Sequence, residues 1–186
     1  MLTLLTGHSI LYRTDVFEAV KFDHVGLTPQ DIYGLRTVEY VQLNHLPTGK
    51  PVDVFNTHWC ICIQGKCCGQ ENQFQSAKEV QAVIEQVKRP DSTVIFMGDL
   101  NVEDGGENAM AIQYLKGNWA GESPPIPLED SFRIANPDGN GETFNGKGKL
   151  DYIFVLPGTT VTEAKIDRSN YGDASDHWPI SAVITM

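Results

Sequence analysis

Basic residues and long hydrophobic stretches are both scarce in this chain of 186 residues. It has 14 lysines and arginines against 24 acidic residues, which gives a formal net charge of −10. Proteins that bind long nucleic acids by neutralising many phosphates carry clustered lysines and arginines, so the charge argues against that class. No apolar stretch approaches the roughly 18 to 20 residues that cross a bilayer, and residues 1–7 are too short and uncharged for a signal peptide. We therefore expect a soluble protein.

The composition also lacks the biases of non-globular proteins. Hydrophobic residues make up 41% of the chain, and its 17 glycines and 10 prolines follow no repeat. This excludes disordered, collagen-like and coiled-coil classes and predicts one globular domain over residues 1–186. An acidic domain can still process phosphate esters, because a divalent cation held by carboxylates supplies positive charge locally.

Cysteine is confined to a single stretch of nine residues, which holds Cys60, Cys62, Cys67 and Cys68. A Cys-x-Cys followed by Cys-Cys lacks the paired Cys-x-x-Cys spacing of structural zinc sites. Disulfides are therefore favoured, free thiols are the main alternative, and a metal site is least favoured. A disulfide would favour an oxidising, extracellular compartment, which the sequence does not otherwise assign.

The hydrophobic pattern predicts strands interleaved with two helices. Residues 9–13 and 16–25 are predicted as a short hairpin or as consecutive strands, and 37–43 and 52–58 as a hairpin around a turn at 47–50. The other predicted strands are 92–97, one near Thr143, 150–156, 160–166 and 179–185. The helices are 72–88, with apolar residues at three- and four-residue spacing, and 107–116. The continuous apolar stretch 92–97 is typical of a strand buried on both faces.

Reactive polar residues stand at the ends of four of these apolar stretches. They are His58, Asp99, Asn101, Asp151, Asp176 and His177. Strand ends that converge in space are a common way to build a site on a rigid scaffold. Two imidazoles, three carboxylates and an amide are the groups that metal-assisted hydrolysis of a phosphate ester uses.

Each of these motifs taken alone also has a structural explanation. Asp-Leu-Asn after a buried strand is usually a turn or a helix cap, and Ser-Asp before His-Trp-Pro fits an Asx turn. A single histidine is more often structural than catalytic. The occurrence of all four motifs in one chain favours a site.

The four motifs, in chain order, are Asn-Thr-His at 56–58, Gly-Asp-Leu-Asn at 98–101, Leu-Asp-Tyr at 150–152 and Ser-Asp-His at 175–177. Together and in this order they resemble those of the endonuclease/exonuclease/phosphatase superfamily, the DNase I-like proteins. Ile-Leu-Tyr-Arg at 10–13 and Arg36 resemble the family more weakly.

The resemblance implies an α/β fold, a four-layer α/β/β/α sandwich of two packed mixed sheets with outer helices. It also implies divalent-metal-dependent hydrolysis of a phosphodiester or phosphomonoester by in-line attack of water. A nucleic acid, a phospholipid headgroup and an inositol phosphate are all substrates within this class, and fold-level likeness does not separate them.

The resemblance further implies a role for each candidate residue. His177 would be the base that orients or deprotonates water, Asp151 would fix the tautomer of His177, and Asp99 would activate or position the nucleophile. Asn101 would bind a non-bridging phosphate oxygen, and His58 would donate to the phosphate or the leaving group. Asp176 would be a ligand of Mg²⁺ or Mn²⁺, and Arg36 and Arg13 would contact the phosphate.

The sequence departs from the family at its beginning. Family members start with a strand, a helix and a second strand that presents a metal-binding glutamate, and residues 1–8 hold no such segment. We therefore expect an N-terminally truncated domain with an exposed sheet edge that favours dimerisation or aggregation. The alternative to a phosphoesterase is a catalytically impaired or non-catalytic binding domain of the same fold.

Overall fold

The computed structural model describes residues 9–61, 69–105, 109–146, 148–169 and 175–186. Within these ranges the chain forms β1 (Phe17–Asp31), β2 (Gly34–His45), β3 (Pro51–His58), α1 (Gln70–Val87), β4 (Thr93–Asp99), α2 (Met110–Leu115), β5 (Glu129–Asp130), α3 (Ser131–Ala135), β6 (Asp151–Val155), β7 (Val161–Ile166) and β8 (Ile180–Ile184). No helix in this part of the chain has the length and apolar character needed to cross a membrane.

Six strands form one mixed sheet in the order β1-β2-β3-β4-β6-β5. The pair β3 and β4 is parallel, and the other neighbours in this sheet are antiparallel. Strands β7 and β8 form a second, antiparallel sheet. Two sheets with flanking helices confirm the expected α/β sandwich, although the described part of the second sheet is antiparallel and was expected to be mixed.

One face of the large sheet packs against α1. Helix residues Ala77, Val80, Val83 and Ile84 are buried in the same cluster as the sheet's aromatic side chains. Their three- and four-residue spacing places them on one side of the helix, as the sequence predicted. Each fully buried large side chain contributes about 1.5 to 3 kcal/mol, and this cluster has more buried residues than the one on the opposite face.

The opposite face of the sheet holds a second, smaller cluster. Its buried residues are Val41, Leu43, Val52 and Val54. In β4 the side chains of Val94 and Phe96 are buried, whereas Ile95 and Met97 are only half-buried. The prediction that 92–97 is buried on both faces is therefore wrong for this second face, because the described residues cover it with a thinner apolar layer than α1 provides.

Several predicted boundaries differ from the observed ones. Residues 9–13 form no strand, and β1 runs far beyond the expected 16–25 because it pairs with β2 along almost its whole length. No strand forms at Thr143, but Phe144 makes isolated bridges. The start predicted for the second helix, at 107, lies outside the described residues. Neither β5 nor α3 was predicted.

The cysteine cluster is described only at its first member. Cys60 is buried and disulfide-bonded, which confirms the preference for a disulfide over a free thiol at this position. Cys62, Cys67 and Cys68 lie outside the described residues.

Candidate active site

Three of the predicted residues form a row across neighbouring strands. His58, the last residue of β3, pairs in register with Asp99, the last residue of β4. Asp99 in turn pairs with Asp151, the first residue of β6. Because β6 runs antiparallel to β4, its beginning meets the end of β4. Sheet topology alone therefore brings together residues that are far apart in sequence.

Gly98 allows this row to form. Its φ is +149°, and a Cβ atom there would lie 1.9 Å from the carbonyl oxygen of Thr57. Only glycine permits that approach of the β3 and β4 backbones. The glycine of the Gly-Asp-Leu-Asn motif is therefore required by the packing of the strands immediately before Asp99.

His177 completes a linked set of side chains. Its Nδ1 lies 2.8 Å from Oδ2 of Asp151, and its Nε2 lies 3.8 Å from Oδ2 of Asp99. On the other side, Nε2 of His58 lies 3.4 Å from the same Asp99 oxygen. The carboxylate of Asp99 thus stands between two imidazoles, and one of these imidazoles is held by a second carboxylate.

Burial and neighbouring charge shift the protonation of this set. Desolvation, followed by the nearby charge of Asp151, raises the pKa of Asp99 to about 6. Burial disfavours the charged form of His177, but the hydrogen bond to Asp151 and the charges of Asp151 and Asp99 outweigh it, so the pKa of His177 lies above its usual value. Perturbed pKa values of this kind are enriched at functional sites.

Asn101 follows the row in a left-handed conformation, with φ of 51°. Its backbone N–H donates to Oδ1 of Asp99 at 2.9 Å, and its side-chain Nδ2 donates to the carbonyl of Trp59 at 2.9 Å. Gln73 of α1 donates to its backbone carbonyl. An amide nitrogen carries two N–H donors, so this anchoring is compatible with a second bond to a phosphate oxygen.

The two predicted arginines have different positions. Arg36 is buried, pairs with Asp31 at 2.6 Å and lines the cavity beside the row. Arg13 is exposed, pairs with Asp15 and does not line that cavity. Its placement gives no support to a phosphate contact, because its charge is satisfied locally and directed to solvent.

The cavity has a volume of about 330 Å³. It is lined by Tyr33, Arg36, His58, Ile61, Asp99, Asn101, Phe144, Leu150, Asp176 and His177. It thus brings together all of the predicted site residues except Arg13 and Asp151, and Asp151 reaches it through His177. Tyr33, Ile61 and Phe144 were not foreseen, because wall residues have no chemical signature in the sequence.

The donor set fits a hard divalent cation. Ligand atoms of Asp99, Asp151 and His177 lie within 4.8 Å of one another, and Asp176 lines the same cavity. Mg²⁺ prefers carboxylate oxygens and keeps several waters, so one or two carboxylates are sufficient to hold it. Burial, followed by the nearby charge of Asp151, raises the pKa of Asp99. A cation would stabilise the charged form of these two adjacent carboxylates.

Solved structures of endonuclease/exonuclease/phosphatase proteins match this one over nearly the whole chain. A mannosyl-6-phosphatase of Bacteroides thetaiotaomicron superposes with a TM-score of 0.72 at 22% identity, over 94% of this chain and 69% of that one. An endonuclease/exonuclease/phosphatase of Bacteroides vulgatus gives 0.73 at 22% identity, over 94% and 68%. TDP2 of D. rerio, complexed with a single-strand DNA product, gives 0.70 at 16% identity, over 94% and 70%.

These matches establish the fold. The chain has the DNase I-like α/β sandwich of the endonuclease/exonuclease/phosphatase proteins, as its four motifs indicated. It spans 69% and 68% of the two Bacteroides proteins. No protein-family model matches the sequence, and no curated protein matches it by sequence.

Proposed function

We propose that this protein is a divalent-metal-dependent phosphoesterase that hydrolyses a phosphodiester or phosphomonoester by in-line attack of water. The observation that carries the proposal is the linked set around Asp99, with an imidazole 3.4 Å away on one side and another 3.8 Å away on the other. Two imidazoles in different environments can act as acid and base in one turnover. The mannosyl-6-phosphatase neighbour and the TDP2 neighbour, which is complexed with a single-strand DNA product, support the same reaction class.

His177 is the proposed base. Its Nδ1 faces Asp151 at 2.8 Å, so when Nδ1 carries the proton and donates it to the carboxylate, Nε2 is left with a lone pair. That nitrogen is the one on the Asp99 side. A water between Nε2 and the Asp99 carboxylate would lose its proton to Nε2 as it attacks phosphorus, and Asp151 would stabilise the resulting imidazolium.

His58 is the proposed acid on the opposite side of Asp99. Its side chain is 37% exposed, so a leaving oxygen can approach it from the cavity. Arg36 and the Asn101 amide would hold the non-bridging oxygens, and a buried guanidinium is suited to this role because it stays charged. A divalent cation held by Asp176 and the Asp99–Asp151 carboxylates would neutralise charge on the phosphate.

The proposed substrate is a phosphate ester that fits the cavity beside the row. A cavity of about 330 Å³ with Tyr33 and Phe144 in its walls accommodates one phosphate and one adjoining organic group. Nucleic acid remains a candidate substrate, although the net charge of −10 disfavours long DNA. The disulfide at Cys60 supports an oxidising, extracellular compartment.

The test is hydrolysis of bis-p-nitrophenyl phosphate and p-nitrophenyl phosphate with Mg²⁺ or Mn²⁺. His177→Ala should lower kcat by about 10²- to 10⁴-fold, the usual contribution of a general base. His24→Ala, at an exposed histidine of β1, is the matched control and should leave kcat unchanged. Equal rates for His177→Ala and the unsubstituted protein would refute the proposal. A folded protein with no turnover on either substrate would favour the non-catalytic binding domain.

A further inference from the structure

Thr143 is a fully buried threonine outside any strand or helix. Its Oγ1 accepts two backbone hydrogen bonds, from Leu150 N–H at 2.9 Å and from Asp151 N–H at 3.0 Å. Its own N–H donates to the carbonyl of Gly148 at 3.0 Å. One side-chain oxygen therefore fixes the backbone at the point where Asp151 enters β6.

The same residue also holds the segment that carries His177. Trp178 N–H donates to the carbonyl of Thr143 at 2.8 Å. The next residue, Phe144, forms an antiparallel bridge with His177, and the two ring centroids are 4.6 Å apart. Thr143 and Phe144 thus contact both the segment of Asp151 and the segment of His177, two residues that are 26 positions apart in the sequence.

Asp151 is held from its other side by a buried lysine. Lys149 is 3% exposed, and its Nζ donates to the carbonyl of Asp151 at 2.7 Å. That Nζ also lies 3.3 Å from Oδ2 of Asp130 and 3.5 Å from the ring centre of Tyr152. Both backbone polar groups of Asp151 are therefore bound by buried side chains, which restricts the direction of its carboxylate.

We propose that Thr143 is a positioning residue, which sets the contact between Asp151 and His177 by binding the backbone of both segments. It has no place among the residues that line the cavity, so it acts through the pair and not on substrate. The predicted effect of Thr143 on turnover rests on the proposed function. Its effect on the Asp151–His177 contact is independent of turnover.

Two substitutions separate this role from simple packing. Thr143→Val keeps the shape of the side chain but removes the oxygen that accepts two N–H groups, and buried donors without partners force the local backbone to shift. Thr143→Ser keeps the oxygen and loses only a methyl group. Ile84→Val, which removes one methylene group from the helix side of the core, controls for a general loss of stability.

The first readout is the Nδ1 proton of His177 in ¹H NMR of the metal-free protein, assigned by its absence in His177→Ala. Hydrogen bonding to a carboxylate moves this resonance downfield and slows its exchange with water. We expect it to be kept in Thr143→Ser and Ile84→Val and lost or strongly shifted in Thr143→Val. An unchanged resonance in folded Thr143→Val would overturn the proposal, whether or not the protein is an active enzyme.

The second readout is steady-state hydrolysis. Thr143→Val should lower kcat by about 10- to 100-fold, as the loss of an orienting group does, with little change in KM, and Thr143→Ser should restore kcat. Equal losses in Thr143→Val and Ile84→Val would contradict a positioning role. If Thr143→Val does not fold, Thr143→Cys, whose sulfur is only a weak acceptor, takes its place with the same expected order.

Discussion

Two rows of side chains cross the same three strands, and they have opposite properties. Phe55, Phe96 and Phe154 are neighbours in register on β3, β4 and β6, and each is fully buried. Near one end of these strands, His58, Asp99 and Asp151 form a second row, in which each member is three residues from the phenylalanine of its strand. An odd separation places the two rows on opposite faces of the sheet.

The contrast shows how one sheet provides both stability and a site. The phenylalanine row faces the helices and contributes apolar burial, with the Phe96 and Phe154 rings stacked at 6.0 Å. The polar row faces away from α1, where the apolar layer is thinner. There burial, followed by the nearby charge of Asp151, raises the pKa of Asp99. Substitutions in the phenylalanine row should therefore lower stability, and substitutions in the polar row should lower turnover.

The largest expected effect is that of Asp151→Asn on turnover. The amide keeps the size of the side chain but can donate to Nδ1 of His177, which favours the tautomer whose Nε2 carries the proton. The proposed base is then lost, and we expect kcat to fall by about 10²- to 10⁴-fold, as in His177→Ala. Denaturant unfolding should show a folded protein. A fall of less than about tenfold in kcat would show that His177 does not depend on Asp151.

Phe96→Ala should have the opposite effect, on stability and not on chemistry. The substitution leaves a cavity beneath α1 and should lower the free energy of unfolding by about 3 to 5 kcal/mol. Urea denaturation measures this change, and kcat per folded molecule should remain close to that of the unsubstituted protein. A large fall in kcat of the fully folded variant would mean that the phenylalanine row also affects turnover.

Asp99→Asn should stabilise the metal-free protein, in a pH-dependent way. Asp99 has a pKa of about 6 in the folded protein against a usual value of 3.8, so the folded state binds this proton more tightly than the unfolded state does. The free energy of unfolding therefore falls as pH rises from about 4 to about 6, and the full cost persists above that range. At about pH 8, Asn should increase the free energy of unfolding by about 1 to 3 kcal/mol.

Urea denaturation in the presence of a chelator, at pH 4 and at pH 8, measures this effect. The gain should be confined to the higher pH, since at pH 4 the carboxyl of Asp99 is already largely protonated in the folded protein. An equal gain at both values, or a loss at pH 8, would contradict the assignment of a raised pKa to this residue.

The strand ends of the site were predictable from the sequence because the relevant signals are local. An apolar stretch followed by Gly98 and Asp99 marks both the strand and the reactive group after it. The order of four such motifs predicted the fold through its resemblance to the endonuclease/exonuclease/phosphatase proteins.

Other features depend on tertiary contacts that no local pattern carries. The length of β1 comes from pairing with β2, and β5 has only two residues, too few to show a period. Arg13 and Arg36 are both arginines near predicted strands, yet only Arg36 has a buried partner that holds it beside the cavity. Thr143 is an unremarkable threonine until its two backbone donors are seen.

The most direct test of the central claim is hydrolysis of bis-p-nitrophenyl phosphate with Mn²⁺ in ¹⁸O-labelled water, by the unsubstituted protein and by His177→Ala. Attack of water at phosphorus predicts that the unsubstituted protein places ¹⁸O in the phosphate product, and that His177→Ala does so at least about 10²-fold more slowly. Label in the released nitrophenol, equal rates for the two proteins, or no turnover by the unsubstituted protein would contradict the account.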